Sequence, residues 1–87
     1  MKQDDKLEQF LREEVRDRSY ADLLLSRTIA AGAGDKTPGA SGNAYYVEFG
    51  AREIVIEHHY LEDWAALHLS RQDFLAALIT WRKILVD

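Results

Sequence analysis

The chain has 87 residues and no cysteine, which excludes disulfides, thiolate metal sites and cysteine nucleophiles. Fifteen Asp and Glu residues against eleven Lys and Arg give a net charge of −4, which argues against a general DNA- or RNA-binding protein. Apolar runs are far shorter than the roughly 20 residues that span a bilayer, and the charged residues 1–6 lack the apolar segment of a secretory signal. We therefore expect one small domain over residues 1–87, in the cytoplasm and without membrane contact.

The front of the chain, residues 4–31, is predicted to be helical. Apolar residues recur there at helical spacing, first as Leu7, Phe10, Leu11 and Val15 and later as Tyr20, Leu23, Leu24 and Ile29. The apolar stripe lapses over residues 16–19, so both one bent helix and two helices fit the pattern, and we favour two. Ser19 followed by Asp22 is predicted to be the N-cap of the second helix, and Gly32 its C-terminal stop.

Residues 32–44 are predicted to form a long loop without helix or strand, because four of the five glycines and the only proline lie in it. The segment lacks the adjacent Gly-Lys of a phosphate-binding loop. Asn43 stands where a nucleophile elbow around Ser41 would need glycine. A loop of this length is either functional or mobile, and the scarcity of bulky residues favours mobility.

Residues 45–60 are predicted to form an antiparallel hairpin, because large apolar residues alternate with polar ones on both sides of residues 50–52. One continuous apolar face results if Phe49 lies opposite Ile54 and the pairing continues outward from there. That face carries Tyr45, Val47, Phe49, Ile54, Ile56, His58 and Tyr60. A short third strand is expected at 66–69, with Leu67 and Leu69 pointing inward.

The last element is predicted to be an amphipathic helix over residues 71–86. Ser70 and Asp73 have the spacing of an N-cap and its N3 partner. The apolar stripe that follows is broad enough to cover a sheet, and its main positions are Phe74, Leu78, Trp81 and Leu85. The expected fold class is α+β: an N-terminal helix or helix pair, an antiparallel hairpin of two strands, or a sheet of three if residues 66–69 add a strand, and a C-terminal helix packed on the sheet.

One cluster of side chains could hold a metal or run acid–base chemistry, namely Glu57, His58, His59, Glu62, Asp63 and His68. His58 and His59 are adjacent on a predicted strand, so their side chains should point to opposite faces. The histidine spacing of helical zinc sites is absent from the sequence. We therefore expect no catalytic residue, no cofactor and no metal ion.

The other face of the hairpin is acidic and contains aromatic residues, which suits a basic protein partner. From residue 45 to the end the chain has seven acidic and four basic residues. Carboxylates guide the encounter and accept hydrogen bonds from arginine, while an aromatic side chain supplies an anchor. The predicted partner-binding residues are Tyr46, Glu48, Glu57, His59, Glu62, Asp63 and Trp64.

The second half of the chain resembles certain small bacterial immunity proteins, the cytoplasmic partners that neutralise polymorphic or contact-dependent toxins. The resemblance lies in the layout of Gly42-Asn43-Ala44-Tyr45-Tyr46-Val47, Ile54-Val55-Ile56-Glu57 and the Ser-x-x-Asp-Phe cap before a tryptophan-bearing helix. It implies an acidic, non-enzymatic inhibitor that works without a cofactor and blocks a toxin's active site or a nearby surface. These immunity proteins share no functional motif, so the resemblance assigns no binding residue.

Two other functions remain open at this level. One is a small structural or regulatory homodimer, because a small sheet has edges that need covering. The other is a small enzyme or metal-binding protein that uses His58, His59 or His68 together with Glu57.

Overall fold

The computed structural model describes residues 3–85, which form an α+β fold as expected. Its elements in chain order are α1 (Gln3–Glu14), α2 (Arg18–Gly32), β1 (Ala40–Ser41), β2 (Tyr45–Phe49), β3 (Glu53–His58), β4 (Leu67–Ser70) and α3 (Arg71–Ile84). The strands form one antiparallel sheet in the order β1-β2-β3-β4, so the sheet has four strands rather than two or three. Residue 86 of the predicted last helix lies outside the described residues. Within residues 3–85, every helix is too short or too polar to cross a bilayer.

The predicted hairpin register is confirmed, because Phe49 lies opposite Ile54 and the same pairing continues along β2 and β3. Leu67 and Leu69 of β4 are buried, as the alternating pattern predicted. The inward placement of Tyr60 was wrong. β3 ends at His58, and Tyr60 lies beyond the sheet with 73% of its surface exposed.

The prediction that residues 32–44 contain no strand was also wrong. Ala40 and Ser41 form β1, which pairs with Val47 and Tyr46 of β2. The neighbouring glycine permits this approach: a Cβ on Gly39 would lie only 2.1 Å from the Tyr46 hydroxyl oxygen. The Arg27 guanidinium also donates to the Gly39 carbonyl oxygen at 2.8 Å, which ties the segment to α2.

The helical front half consists of two helices, as favoured from the sequence, but the cap that separates them differs from the expectation. Asp17, not Ser19, is the N-cap of α2: its backbone is extended, and its carboxylate accepts from the Tyr20 N–H at 2.8 Å. Both side chains are capable caps. Helix α2 begins at Arg18, so only Asp17 is in the capping position. Gly32, which was predicted to stop the helix after residue 31, is its last helical residue, and Ala33 is the C-cap.

The three helices pack against one face of the sheet, which we call the inner face. Phe10 of α1 contacts the Tyr45 ring edge-on at 5.2 Å between centroids, and Phe74 of α3 lies 6.4 Å from Phe49. Helix α3 starts as predicted, with the Ser70 hydroxyl accepting from the Asp73 N–H at 3.0 Å. The largest fully buried apolar side chains are Phe10, Val15, Leu24, Tyr45, Val47, Ile54, Ile56, Phe74 and Leu78. Because the core fills only this side, the opposite face of the sheet is left to other roles.

Candidate functional site

The opposite face of the sheet, which we call the outer face, is open. Along each strand, buried residues of the inner face alternate with exposed or half-buried residues of the outer face. In the part of the chain that the structure describes, no helix packs on this face. The outer face carries Ser41, Tyr46, Glu48, Glu53, Val55, Glu57, His59, His68 and Ser70.

The centre of the outer face is a crossed arrangement of two less polar residues and two carboxylates. Tyr46 lies directly opposite Glu57, and Glu48 lies directly opposite Val55. Side chains directly opposite in an antiparallel pair have Cβ atoms about 4.5–5.5 Å apart, and diagonal neighbours about 7–8 Å apart. The half-buried Tyr46 and Val55 therefore occupy one diagonal, and the exposed carboxylates occupy the other.

The outer face is acidic. Glu48, Glu53 and Glu57 are exposed, and none of the nine outer-face positions named above is Lys or Arg. Glu53 lies 3.2 Å from His68 Nδ1, and both side chains are largely exposed. Because these carboxylates face solvent, their electric field can attract an approaching cationic partner.

A loop at one end of the sheet, residues 59–66, joins β3 to β4 and has a defined shape. The Tyr60 and Leu61 N–H groups both donate to Nδ1 of His58, each at 3.1 Å. Farther along, the Trp64 N–H donates to the Leu61 carbonyl oxygen at 3.1 Å. These bonds leave Tyr60, Leu61 and the carboxylates of Glu62 and Asp63 exposed at the tip.

Trp64, which the sequence placed among the partner-binding residues, lies under this loop rather than on the outer face. Its ring is half-buried and lies 5.5 Å from the Tyr45 ring. Its indole N–H donates to the Gln9 side-chain oxygen at 3.3 Å. The Lys6 ammonium lies 4.2 Å from the centre of the indole and also donates to the Ala65 carbonyl oxygen. Trp64 therefore joins the loop to α1.

The remaining predicted binding residues fall into two groups, one on the outer face and one in the loop that follows β3. Tyr46, Glu48, Glu57 and His59 lie on the outer face, and Glu62 and Asp63 lie at the tip of the 59–66 loop. His59 connects the groups, since its Nε2 lies 3.1 Å from Ser41 Oγ and its ring lies 6.0 Å from the Tyr60 ring.

Sequence reasoning missed Tyr60 and Leu61 as surface residues. Their exposed fractions are 73% and 46%. Alternation alone gives no signal for this, because consecutive large apolar residues also occur inside β3, at Ile54-Val55-Ile56.

The three histidine side chains do not converge on one point. His58 packs edge-on against Tyr45 at 4.7 Å, whereas His59 faces outward, so the predicted opposite orientation is confirmed. Across residues 3–85, no three His, Asp or Glu residues converge in a way that could hold a metal ion. Ser41 and His59 are within hydrogen-bond distance, but nucleophilic catalysis also requires a third group that orients the base. Among the described residues, we find no such hydrogen bond to His59.

Two carboxylates at the end of α1 have structural roles. The buried Glu14 carboxylate accepts from the backbone N–H of Asn43 at 2.6 Å and of Ala44 at 3.1 Å. The Tyr45 hydroxyl donates to Glu13 at 2.6 Å. Burial, reinforced by this hydrogen bond, raises the pKa of Tyr45 far above its ordinary value. Burial, with the nearby Glu14 charge, also raises the pKa of Tyr20.

An open groove of about 410 Å³ lies between α1 and α3. Its lining is mostly apolar and consists of Leu7, Glu8, Leu11, Ala76, Ala77, Thr80 and Trp81. Among the described residues that line the groove, Glu8 is the one titratable side chain, so these residues form no acid–base pair there. The outer face and the 59–66 loop therefore remain the candidate functional surface.

Comparisons with known proteins give no further guide. No protein-family model matches the chain, and neither a curated protein nor a solved structure is significantly similar to it. The fold and the surface define the chain as a small α+β domain with an open, acidic sheet face.

Proposed function

We propose that this protein is a non-enzymatic protein-binding domain that acts in the cytoplasm as an immunity-type inhibitor. Its outer face binds a basic toxin or effector domain. The observation that supports this most directly is the uncovered sheet face on which Tyr46 and Val55 lie between Glu48 and Glu57. The layout of the second half of the chain, which resembles small immunity proteins, agrees with the proposal.

The arrangement suits recognition of arginine in particular. A guanidinium can stack on the Tyr46 ring while it donates two parallel hydrogen bonds to the neighbouring Glu57 carboxylate. Glu48, which lies two residues from Tyr46 on β2 and directly opposite Val55, offers a second carboxylate. Exposed charge pairs add little affinity each, but complementary fields raise the association rate and select the partner.

Binding should be tested with the protein encoded by the gene next to this one, purified as a catalytically inactive variant. Calorimetry should show a complex between the two proteins, and stopped-flow measurements should show an association rate that falls with added salt. The Glu48→Lys, Glu57→Lys double variant changes the net charge by +4 and should slow association by about tenfold or more.

The matched control is the Glu8→Lys, Asp35→Lys variant, which makes the same charge change at exposed positions away from the outer face. It should slow association by less than about threefold, because distant exposed charges are screened by salt. Absence of binding by the unmodified protein would refute the proposal. Equal effects of the two double variants would show that net charge, not the outer face, controls the encounter.

A homodimer is a second candidate function. The observation in its favour is that β4 lies at the end of the sheet order and, within residues 3–85, pairs only with β3. A second copy could add its own strand to this edge. Sedimentation over a wide range of concentrations should show self-association if this candidate is correct, and a constant monomer mass would exclude it.

A further inference from the structure

The tip of the 59–66 loop is the most unusual apolar feature of the surface. Six large apolar side chains are counted as exposed within residues 3–85, and only Tyr60 and Leu61 are neighbours in sequence. Tyr60 is also the most exposed of the six, at 73%. Single exposed apolar residues are common on protein surfaces, but an adjacent aromatic and aliphatic pair on a loop tip is typical of a contact surface.

The tip is held in place before any partner arrives. His58 Nδ1 accepts from the N–H groups of both tip residues, and the Leu61 carbonyl oxygen accepts from the Trp64 N–H. Trp64 is itself packed on Tyr45. Because the backbone of the tip is already ordered, binding loses less conformational entropy than it would with a mobile loop.

The tip also continues the outer face. His59 bridges the two, as its ring contacts Tyr60 and its Nε2 reaches Ser41 of β1. The exposed carboxylates of Glu62 and Asp63 follow directly in the loop. An apolar pair beside carboxylates fits a shallow apolar pocket with a cationic rim, which is the surface that a basic partner offers.

We infer that Tyr60 and Leu61 are the anchor of the complex and enter an apolar pocket on the basic partner, while Glu62 and Asp63 meet the cations at its rim. This inference rests on the proposed function and identifies which residues fix affinity. The outer face guides the encounter and sets the association rate. The anchor sets the lifetime of the complex, because a buried aromatic residue contributes mainly to the dissociation rate.

Calorimetry and kinetics with the same purified neighbouring-gene product test the assignment. Tyr60→Ala should weaken binding by about 30-fold or more, mainly through faster dissociation, and Leu61→Ser by about tenfold. Tyr60→Phe should stay within about threefold of the unmodified protein, since it keeps the aromatic ring. The control is Ile29→Ser, which removes an exposed apolar side chain from α2 and should leave affinity unchanged.

Each outcome separates the anchor from the wider proposal. If the unmodified protein does not bind, both the proposed function and the anchor fail. If it binds and the Glu48, Glu57 reversal slows association, but Tyr60→Ala and Ile29→Ser bind alike, the anchor assignment is overturned and the proposed function stands. Circular dichroism and thermal unfolding of each variant exclude loss of fold, which is not expected at a side chain as exposed as Tyr60.

His58 is a positioning residue: it does not contact the partner, but its Nδ1 holds the backbone of Tyr60 and Leu61 in place. In a double-mutant cycle, His58→Ala and Tyr60→Ala should each reduce affinity, and the combined variant should be little worse than Tyr60→Ala alone. A stability loss confined to His58→Ala is also expected, because its ring packs on Tyr45. Fully additive effects on affinity would show that His58 does not work through the tip and would refute its positioning role.

Discussion

Glu14→Ala is expected to destabilise the protein by about 3 kcal/mol, because two hydrogen bonds to a charged acceptor each contribute about 1.5 kcal/mol or more. The buried carboxylate accepts from the N–H groups of Asn43 and Ala44 and so joins the end of α1 to the segment that leads into β2. For a domain of this size, that loss corresponds to a fall in Tm of about 12–24 °C. Urea unfolding followed by circular dichroism gives the free energy of unfolding directly.

The comparison variants make this test specific to the carboxylate. Glu14→Gln keeps one oxygen acceptor without its charge, so it should cost about half as much as Glu14→Ala. Glu8→Ala removes an exposed glutamate from the same helix and should change stability by less than about 0.5 kcal/mol. If Glu14→Ala and Glu8→Ala differ by less than about 0.5 kcal/mol, the two backbone bonds do not stabilise the fold and the reasoning is wrong.

Gly42, Tyr45 and Ser70 give three further tests of the contacts that stabilise the fold. Gly42→Ala should lower the free energy of unfolding by about 1–3 kcal/mol, because its Cβ would lie 1.5 Å from Glu14 Oε2. In a double-mutant cycle measured by urea unfolding, the losses from Gly42→Ala and Glu14→Ala should not add. Full additivity would show that the new Cβ does not clash with Glu14. Because the pKa of Tyr45 is raised in the fold, its hydroxyl should stay protonated well above pH 10. An unfolded tyrosine has a pKa of about 10, so the contribution of Tyr45 to the free energy of unfolding is complete below about pH 10 and is lost as the pH rises further. Absorbance titration of the four tyrosines should show a phenol that ionises later than that of Tyr20, and Tyr45→Phe should remove it. A normal titration of all four tyrosines would refute this. Ser70→Ala should cost about 1 kcal/mol in thermal unfolding through loss of the α3 N-cap, whereas Ser26→Ala, an exposed mid-helix change, should cost nothing measurable.

The register of the hairpin could be predicted to the residue, because it depends on the local alternation of side chains, whereas the end of β3 at His58 could not. With a period of two, this register brings Val47, Phe49, Ile54 and Ile56 to one buried face, and a slip by one residue would expose one strand's share of that set. Phe49 opposite Ile54 therefore follows from the pattern alone. The same local rule located β4, where Leu67 and Leu69 alternate with polar residues.

Strand β1 could not be predicted, because a two-residue strand has no periodicity and its cause lies elsewhere in the chain. Gly39 leaves room for the Tyr46 ring, and Gly42 leaves room for the Glu14 carboxylate. In the sequence these glycines indicate a flexible loop. In the structure these glycines let side chains from β2 and α1 come close to the backbone. These contacts join residues far apart in the sequence, so local patterns do not reveal them.

The same distinction applies to the functional surface. The outer-face residues follow from alternation once the inner face is known, so Tyr46, Glu48 and Glu57 could be selected from the sequence. The position of Trp64 depends on its contacts with α1, above all the hydrogen bond to Gln9. Sequence alone therefore could not tell a tryptophan that supports a loop from one that is displayed on it.

Glu48 and Glu57 provide a test of whether the outer face is kept for binding rather than for folding. Glutamate is disfavoured in strands, and two carboxylates on neighbouring strands repel each other. Neither contributes to the buried core, as both are exposed. Replacing both with threonine should therefore leave the free energy of unfolding unchanged or raise it by up to about 1 kcal/mol, while it weakens binding to the neighbouring-gene product. Natural proteins accept such local costs mainly at functional sites. A double variant that is clearly less stable would assign the two carboxylates to the fold and remove the reason for regarding this face as a binding surface.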